Sequence, residues 1–339
     1  MKIAMMSSWN ARCGIAEYSR GLVEELLKQG HDVKVICNKP HSDSLEPPQN
    51  DVGRVECFEV TLRSQKIEFD AKMALKVVDW ADLLHIQFEC GLYHPDWMPP
   101  FMEAVAMRKP VVVTMHSGYM WPEFPVGAVS TFIGHDKGIV AGLTSSRKPV
   151  HLISMGVKTD MLEHVKDKGY EYPDRCNTVV SFGLGRNDDD QCKQAISKLP
   201  FADVAFGTSY GDSAWVPADQ LRNFLIDSGV ISLMYPPVGT NVSSSAAAFA
   251  LSVPVPLVVS NTNWFNWLKE KDVYGVHFAP FGDVDGLVSV FRKAMFRVGT
   301  QEVQPTFAWK RLASLKEKGL DYTTAATVPH IRVYEEVCK

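Results

Sequence analysis

The sequence predicts an α/β protein of two Rossmann-like domains whose parallel sheets face an interdomain cleft. Short apolar runs alternate with longer helical patterns in both halves, which is typical of βαβ units and parallel sheets. The length of 339 residues suits two domains of roughly 100–200 residues each. Between the halves, residues 158–176 are rich in charge and carry no strand pattern, so this segment is the predicted boundary.

The composition excludes several classes of protein. With 46% hydrophobic and 22% charged residues, the chain has enough apolar surface to fold, so it is not disordered. The net charge of -4 provides no overall basic field for nucleic acid, although a local basic groove stays open. The seven cysteines form no CxxC pair, which argues against a disulfide framework or a zinc site. No apolar stretch suits a signal peptide or a membrane span, so we expect a cytoplasmic protein.

The first half contains six predicted strands and three predicted helices. A helix over 15–28 follows from Ile15, Tyr18 and Leu22, which share one face, and Gly30 is a stop signal after it. Two more helices are predicted over 70–80 and 98–108. The strands are predicted over 2–6, 33–37, 55–60, 83–86, 110–115 and 150–154.

The second half repeats this alternation with five strands. The strands are predicted over 178–182, 204–206, 230–233, 256–259 and 276–278. The helices are predicted near 190–198, 218–227, 244–251, 264–269 and 284–296, with helical stretches between 307 and 338. We therefore expect one domain over 1–155, a second over 156–319, and a C-terminal helix over 320–339 that packs back onto the first.

Three loops of the first half carry the candidate site residues, because ligands bind at the carboxyl ends of strands in such sheets. Asn10, Arg12 and Gly14 lie where the first strand runs into a helix, whose free N–H groups suit a phosphate. A single glycine here does not make the GxGxxG pattern of dinucleotide-binding proteins, which argues against a dehydrogenase. The alternative is an ordinary helix start with a solvated arginine.

The other two loops follow the strands over 83–86 and 110–115. Gln87 and Glu89 lie near the strand exit, and His85 on the same strand is either a core histidine or a ligand contact. His116 comes at the carboxyl end of a valine-rich strand, so it is either a ligand contact or a structural hydrogen-bonding group.

Two loops of the second half add further candidates. Arg186 suits a bidentate clamp on a phosphate. Asp188–Asp190 either cap the next helix or hold a Mg²⁺ ion, and we favour the cap. Ser243 and Ser244 precede a small-residue helix, where they either bind a phosphate or form a helix N-cap.

Taken in order, these segments resemble the GT-B glycosyltransferases, most closely the retaining glycosyltransferase family 4. The resemblance covers nearly the whole chain and is stronger in its N-terminal half. The segments that carry it are MKIAMMSSWNARCGIAEYSRGLVEELLKQGHDVKVI, ADLLHIQFECGLY, KPVVVTMHSGY, HLISMGVK, VVSFGLGR and SSSAAAFALSVPVPLVVSNTNWF.

The resemblance implies a GT-B fold with an acceptor-side first domain and a second domain for the nucleotide-sugar donor. It implies catalytic roles for His116 at the transferred sugar and Arg186 at the diphosphate. No metal or other cofactor is expected, and the donor is a co-substrate. The implied donor-binding residues are Arg12, Gly14, Lys193, Asn241, Ser243 and Ser244. The implied acceptor-side or sugar-contacting residues are Asn10, Gln87 and Glu89.

The sequence departs from that family at three positions. The family has two glutamates separated by seven intervening positions near the donor sugar, and these fall near Asn241 and Phe249, with Val242 an alternative. The family's lysine after the arginine is replaced by the acidic run Asp188–Asp190, and Lys193 comes later. An acidic cluster repels a diphosphate unless its carboxylates point elsewhere.

The predicted function is therefore transfer of a hexose or pentose from a nucleotide-diphosphate sugar to an acceptor hydroxyl, with retention. The acceptor is a saccharide, a small molecule or a hydroxymethylated base in viral DNA. The alternatives are a non-catalytic protein that binds nucleotide sugars and a sugar-nucleotide epimerase on the same fold.

Overall fold

The computed structural model describes residues 1–11, 13–39, 52–60, 68–168, 178–183, 188–199, 205–208, 218–299 and 304–339. The chain divides into two compact units. The first contains Met1–Ser154, Thr240–Val242 and Thr323–Lys339, and the second contains Met155–Gly239 and Ser243–Tyr322. Each unit holds one parallel sheet, so the predicted α/β class is confirmed.

The sheet of the first unit has seven parallel strands in the order β3-β2-β1-β4-β5-β6-β7. Its strands are β1 (Lys2–Met6), β2 (Asp32–Asn38), β3 (Arg54–Phe58), β4 (Leu83–Phe88), β5 (Val111–Met115), β6 (Thr131–Gly134) and β7 (Val150–Leu152). The sheet of the second unit has five parallel strands in the order β12-β11-β10-β8-β9. Its strands are β8 (Thr178–Ser181), β9 (Ala205–Thr208), β10 (Val230–Leu233), β11 (Leu257–Ser260) and β12 (Val276–Ala279).

Twelve α-helices lie in the described part of the chain. In chain order they are α1 (Gly14–Lys28), α2 (Ala71–Trp80), α3 (Met98–Ala106), α4 (Lys137–Leu143), α5 (Asp160–Lys168), α6 (Asp189–Ser197), α7 (Ala218–Ile226), α8 (Ser245–Leu251), α9 (Asn266–Lys269), α10 (Val284–Gly299), α11 (Gln304–Glu317) and α12 (Val328–Val337). Within the described residues, none of the helices combines the length and the apolar character that crossing a membrane requires.

Local chemistry explains where α1 begins and ends. The sulfur of Cys13 accepts a hydrogen bond from the Ala16 N–H, so a cysteine takes the N-cap position that serine or aspartate usually fills. Gly30 follows the helix with a φ of 80°, a left-handed conformation that glycine adopts without strain. The predicted stop signal at Gly30 therefore matches its backbone geometry.

The first unit has an apolar core on one face of β4 and β5. Leu84, Ile86 and Phe88 of β4 belong to this core together with Val113 and Met115 of β5. Alternate residues of a strand point to opposite faces, so the residues between these lie on the other face of the sheet. That other face carries the polar side chains described below.

Two elements of the first unit escaped the sequence prediction. The strand β6 has two apolar residues and ends in a glycine, and α4 contains two glycines, Gly138 and Gly142, which weaken its helical pattern. The helix α5 also begins inside the segment expected to be a charged linker. The remainder of that segment from 169 to 176 lies outside the described residues.

A buried arginine holds α11 in the second unit. Arg311 is fully buried, and its guanidinium donates to the carbonyl oxygens of Tyr274 at 2.5 Å and Val255 at 3.1 Å. The guanidinium also lies 4.9 Å from the ring centroid of Phe307. Gly275, with a φ of 75°, lets the backbone approach these two side chains, which a Cβ atom there would strike. Burial lowers the pKa of Arg311 to about 9.

Among the described residues of the first unit, three histidines are fully buried. They are His85 on β4, His135 after β6 and His330 on α12. Burial lowers the pKa of His135 to about 4 and that of His330 to about 3, while the pKa of His85 also falls well below 6.5. All three imidazoles are therefore neutral at pH 7 in the folded protein.

These histidines predict a loss of stability in mild acid. Between pH 6.5 and about 4 the unfolded chain binds protons at these positions, whereas the folded protein does not. The unfolding free energy then falls as pH falls, by about 1.4 kcal/mol per pH unit for each histidine concerned. Urea unfolding at a series of pH values, followed by tryptophan fluorescence, measures this slope.

Two substitutions test the origin of the slope. His135→Gln removes one of the buried rings and should flatten the slope between pH 6.5 and 4. His164→Gln is the matched control because His164 is exposed on α5, and it should leave the slope unchanged. Identical slopes for wild type and His135→Gln would contradict the prediction.

Candidate functional site

The carboxyl ends of β4 and β5 bring four polar side chains together. His85 and Gln87 lie on β4, Thr114 lies on β5, and His116 follows β5 directly. The two strands are neighbours, and Gln87 is the register partner of Thr114. The four side chains therefore lie together on the face of the sheet opposite the apolar core.

These side chains form a continuous hydrogen-bonded chain. Nε2 of His116 lies 2.9 Å from Oε1 of Gln87, whose Nε2 lies 3.2 Å from Nε2 of His85. The same nitrogen of His85 lies 2.7 Å from Oγ1 of Thr114. His85, Gln87 and Thr114 are fully buried, whereas His116 is only half-buried. His116 is thus the member of the group with a solvent-exposed surface.

Aromatic rings surround His116. Its ring centroid lies 5.2 Å from that of Tyr18 in an edge-to-face arrangement and 5.1 Å from that of His135. Burial holds the pKa of His116 well below 6.5, and the neighbouring His135 lowers it further. His116 is therefore a neutral imidazole at pH 7, able to donate one hydrogen bond and accept another.

Gln87 takes a different place from the one predicted. It was expected to contact a sugar or acceptor, but its side chain is fully buried and both amide atoms are bonded within the protein. The strand continues to Phe88, two residues beyond the predicted end, so Gln87 lies inside the sheet. Glu89 lies after the strand, is half-buried and opens a turn through its carbonyl oxygen, which accepts from Leu92 N–H at 3.0 Å.

Two described candidate residues, Asn10 and Gly14, lie between β1 and the start of α1. Asn10 is half-buried and has a φ of 50°, in the left-handed region. Gly14 is the first residue of α1. Arg12, the cation predicted for this loop, lies outside the described residues.

In the second unit, Ser244 serves as a helix cap. Its buried Oγ accepts a hydrogen bond from the Ala247 N–H at 3.3 Å at the start of α8. The Oγ of Ser243 is also buried, and it has no hydrogen-bond partner within the described part of the chain. The structure groups residues 240–242 with the first unit, where the Asn241 carbonyl oxygen accepts from Gly118 N–H at 2.7 Å.

The acidic side chains of Asp188–Asp190, at the start of α6, contact neighbouring groups of the protein. Asp188 is the N-cap and accepts from Gln191 N–H at 3.0 Å, while Asp189 accepts from the Ser181 hydroxyl at 2.8 Å. Asp190 is exposed and lies 3.7 Å from Nζ of Lys193. The cap interpretation thus describes Asp188. In the ranges that the structure describes, no group of three His, Cys, Asp or Glu side chains could hold a metal ion.

Phe249 stands where the resembled family has an acidic residue, and it contacts aromatic and cationic groups. Its ring centroid lies 6.0 Å from that of Phe182 and 5.5 Å from the guanidinium carbon of Arg222. Arg222 also lies 3.6 Å from Asp160. Arg186 lies outside the described residues, so its predicted role stays a prediction.

Four residues close to the polar side chains of β4 and β5 were not among the predicted site residues. Tyr18 and His135 pack on His116, and Tyr334 and His330 of α12 lie beside His85. His135 had a usable signal, because it follows β6 as His116 follows β5, but β6 was not predicted. The contact of Tyr334 with His85 joins residues 249 positions apart and leaves no local signal.

Known structures share this arrangement of elements along the whole chain. A glycosyltransferase from Rickettsia africae has a TM-score of 0.69 at 12% identity, with coverage of 100% of this chain and 98% of that one. An Anabaena protein, HepE, in complex with UDP and glucose has a TM-score of 0.65 at 11% identity, with 99% and 100% covered. An alpha-glucosyltransferase in complex with UDP and DNA containing an HMU base has a TM-score of 0.68 at 11% identity, with 99% of each chain covered.

The sequence itself matches no protein-family model and no curated protein sequence. The similarity is thus one of three-dimensional structure, at identities of 10–12%. It spans both units and the parallel sheets within them. The chain therefore has the GT-B fold of glycosyltransferases, as the resemblance in its sequence predicted.

Proposed function

We propose that this protein is a glycosyltransferase that moves a sugar from a nucleoside-diphosphate sugar to an acceptor hydroxyl. The observation that carries the proposal is the GT-B fold over the whole chain, together with a half-buried neutral His116 at the end of β5. A neutral imidazole suits contact with sugar hydroxyls, which both donate and accept hydrogen bonds.

Uridine diphosphate is the nucleotide we propose for the donor. The Anabaena protein and the alpha-glucosyltransferase are both described with UDP, and the Anabaena protein with glucose as well. We therefore propose a UDP-hexose, with UDP-glucose as the first to be tested. The proposed donor-binding residues remain Arg12, Gly14, Lys193, Asn241, Ser243 and Ser244. Among the described residues, the buried Oγ of Ser243 has no hydrogen-bond partner.

In the proposed mechanism, the chemistry depends on the departing diphosphate. Its bond to the sugar breaks, and negative charge grows on the phosphate oxygens. Arg186 and the N–H groups at helix starts would stabilise that charge. Retention follows if the acceptor attacks from the face that the phosphate leaves, with a phosphate oxygen taking the acceptor's proton. His116 would hold the transferred sugar in place.

For the acceptor we propose a saccharide or small-molecule hydroxyl. A second candidate is a hydroxymethylated base in viral DNA, because the alpha-glucosyltransferase of the same fold is described with DNA containing an HMU base. Asn10 and Glu89, both half-buried at strand exits of the first unit, are the proposed acceptor-side residues.

The first prediction from the proposed function concerns binding of the donor nucleotide. UDP at 100 times its dissociation constant should stabilise the protein by about 2.7 kcal/mol, which a thermal-shift assay detects. Uridine, which lacks the diphosphate, is the control and should shift the melting temperature far less at the same concentration. The absence of a shift with UDP, GDP and ADP alike would count against nucleotide-sugar binding.

The second prediction concerns the two catalytic residues. His116→Ala and Arg186→Ala should each reduce kcat/KM for UDP-glucose by ~10²-fold or more, since each removes a group aimed at the sugar or the leaving charge. His151→Ala is the matched control, because His151 is a half-buried histidine on β7 to which no role in the reaction is assigned. Rates that stay at the wild-type value in either of the two variants would refute that residue's role.

The third prediction separates the acceptors. Transfer of radiolabelled glucose should appear on a saccharide panel, or on DNA carrying hydroxymethylated bases, but not on unmodified DNA. If DNA is the acceptor, its affinity should fall steeply with added salt. Binding of UDP-sugars without any transfer or epimerised product would favour the non-catalytic alternative.

A further inference from the structure

The polar group of the first unit extends beyond the strands to the C-terminal helix. The hydroxyl of Tyr334 on α12 lies 2.6 Å from Nδ1 of His85. A chain of hydrogen bonds therefore runs from Tyr334 through His85 and Gln87 to His116. Tyr334, His85 and Gln87 are fully buried, so water does not compete for these bonds.

The amide of Gln87 sets the direction of each bond in this chain. An amide oxygen can only accept, so Nε2 of His116 carries a proton and donates it to Oε1. An amide nitrogen can only donate, so Nε2 of His85 accepts and is unprotonated. His85 then carries its proton on Nδ1 and donates it to Tyr334. With this tautomer the Thr114 hydroxyl donates to the same nitrogen of His85, whose single lone pair is shared between Thr114 at 2.7 Å and Gln87 at 3.2 Å.

One further contact favours a single orientation of the Gln87 side-chain amide. Nε2 of Gln87 lies 3.5 Å from the sulfur of Met5, which is an acceptor. With the amide reversed, its oxygen would face that sulfur, and two acceptors would meet in a buried site. The amide orientation with nitrogen toward Met5 and His85 is therefore the favoured one.

Both histidine rings carry a single proton at neutral pH. Burial holds the pKa of His85 and of His116 well below 6.5. With its proton on Nε2, His116 has a lone pair on Nδ1. That nitrogen has no hydrogen-bond partner among the residues that the structure describes.

We infer that Gln87 is a positioning residue that fixes His116 as the Nε2–H tautomer, and that Tyr334 and His85 hold Gln87 in the orientation this requires. The inference rests on the proposed function for its catalytic consequence. Nδ1 of His116 is then an acceptor, so the ligand group it takes is a donor, such as a sugar hydroxyl. A fully ionised phosphate oxygen, which only accepts, does not suit it.

The tautomer can be measured directly on the full chain. Two-dimensional ¹⁵N NMR of histidine-labelled protein distinguishes protonated from unprotonated ring nitrogens, and His116→Gln assigns the signals. We expect wild-type His116 to have a protonated Nε2 and an unprotonated Nδ1 at pH 7.5. A wild-type His116 with its proton on Nδ1 would overturn the inference.

Two substitutions at Gln87 separate the effect of its hydrogen bonds from the effect of its side-chain volume. Gln87→Leu removes the acceptor, so His116 should become a mixture of tautomers, and kcat should fall about tenfold, the rate equivalent of one neutral hydrogen bond. Gln87→Glu keeps an acceptor for His116, so His116 should retain the proton on Nε2, whereas the second carboxylate oxygen should draw a proton onto Nε2 of His85. The same carboxylate should also raise the pKa of His116 and move the pH profile upward. An unchanged His116 tautomer in Gln87→Leu would refute the role of Gln87.

The far end of the chain has a matched control. Tyr334→Phe removes the acceptor for His85 Nδ1–H and should shift part of the His116 population to the other tautomer. Tyr93 is equally buried in the same unit, but its hydroxyl donates only to the backbone carbonyls of Met6 and Gln87. Tyr93→Phe should therefore leave the His116 signals unchanged. Equal effects of the two variants would reduce the contact at Tyr334 to a general packing role.

The NMR result and the activity result are independent. If wild-type protein turns over no donor, the proposed function fails, while the tautomer of His116 and its response to Gln87→Leu still decide the inference. If turnover occurs and Gln87→Leu changes KM for the donor but neither kcat nor the tautomer, the positioning role is wrong and the proposed function stands. Should Gln87→Leu fold poorly, Tyr334→Phe carries the same test, because it perturbs the hydrogen-bonded chain and leaves Gln87 in place.

Discussion

A row of polar side chains inside a parallel sheet is the constraint on which the first unit depends. Parallel strands covered on both faces are usually continuous apolar runs, but here His85, Gln87 and Thr114 are fully buried. Each must be hydrogen-bonded, because an unpaired buried polar group costs about 1–3 kcal/mol. The strands provide most of the partners, and α12 provides the one for Nδ1 of His85. The C-terminal helix thus completes the hydrogen bonds of the buried polar side chains on the sheet.

The same reasoning separates what the sequence predicts from what it leaves open. The apolar run of β5 and the helical spacing of α1 are local patterns, and both elements lie where predicted. The strand β6 has two apolar residues between Thr131 and Gly134, so no apolar run marks it in the sequence, and His135 was not placed. The partner of His85 is 249 residues away, and alternation along β4 gives the face of a side chain but not what covers it. For this reason Gln87 was assigned to a ligand rather than to His116.

The second unit shows how the departures from the resembled family alter the charge at the predicted donor site. Phe249 replaces an acidic residue and packs against Phe182 and Arg222. The carboxylates of Asp188 and Asp189 are engaged with the start of α6 and with Ser181. A carboxylate that is lost no longer accepts sugar hydroxyls, and those that are engaged locally are already hydrogen-bonded within the protein. Under the proposed function, recognition of the sugar would therefore fall more heavily on neutral groups.

Under the proposed function, this distribution of charge assigns a specific role to a neutral His116. An imidazolium would attract the diphosphate and would add to the leaving-group stabilisation that Arg186 is proposed to supply. Burial and the neighbouring His135 hold the pKa of His116 well below 6.5, so at pH 7 the ring makes no such contribution. What a neutral ring with one fixed proton does offer is direction, since it donates on one side and accepts on the other. The protonated Nε2 of His116 donates to Gln87, so only the unprotonated Nδ1 remains for a ligand. Because Nδ1 accepts, it can bind a sugar hydroxyl but not a fully ionised phosphate oxygen.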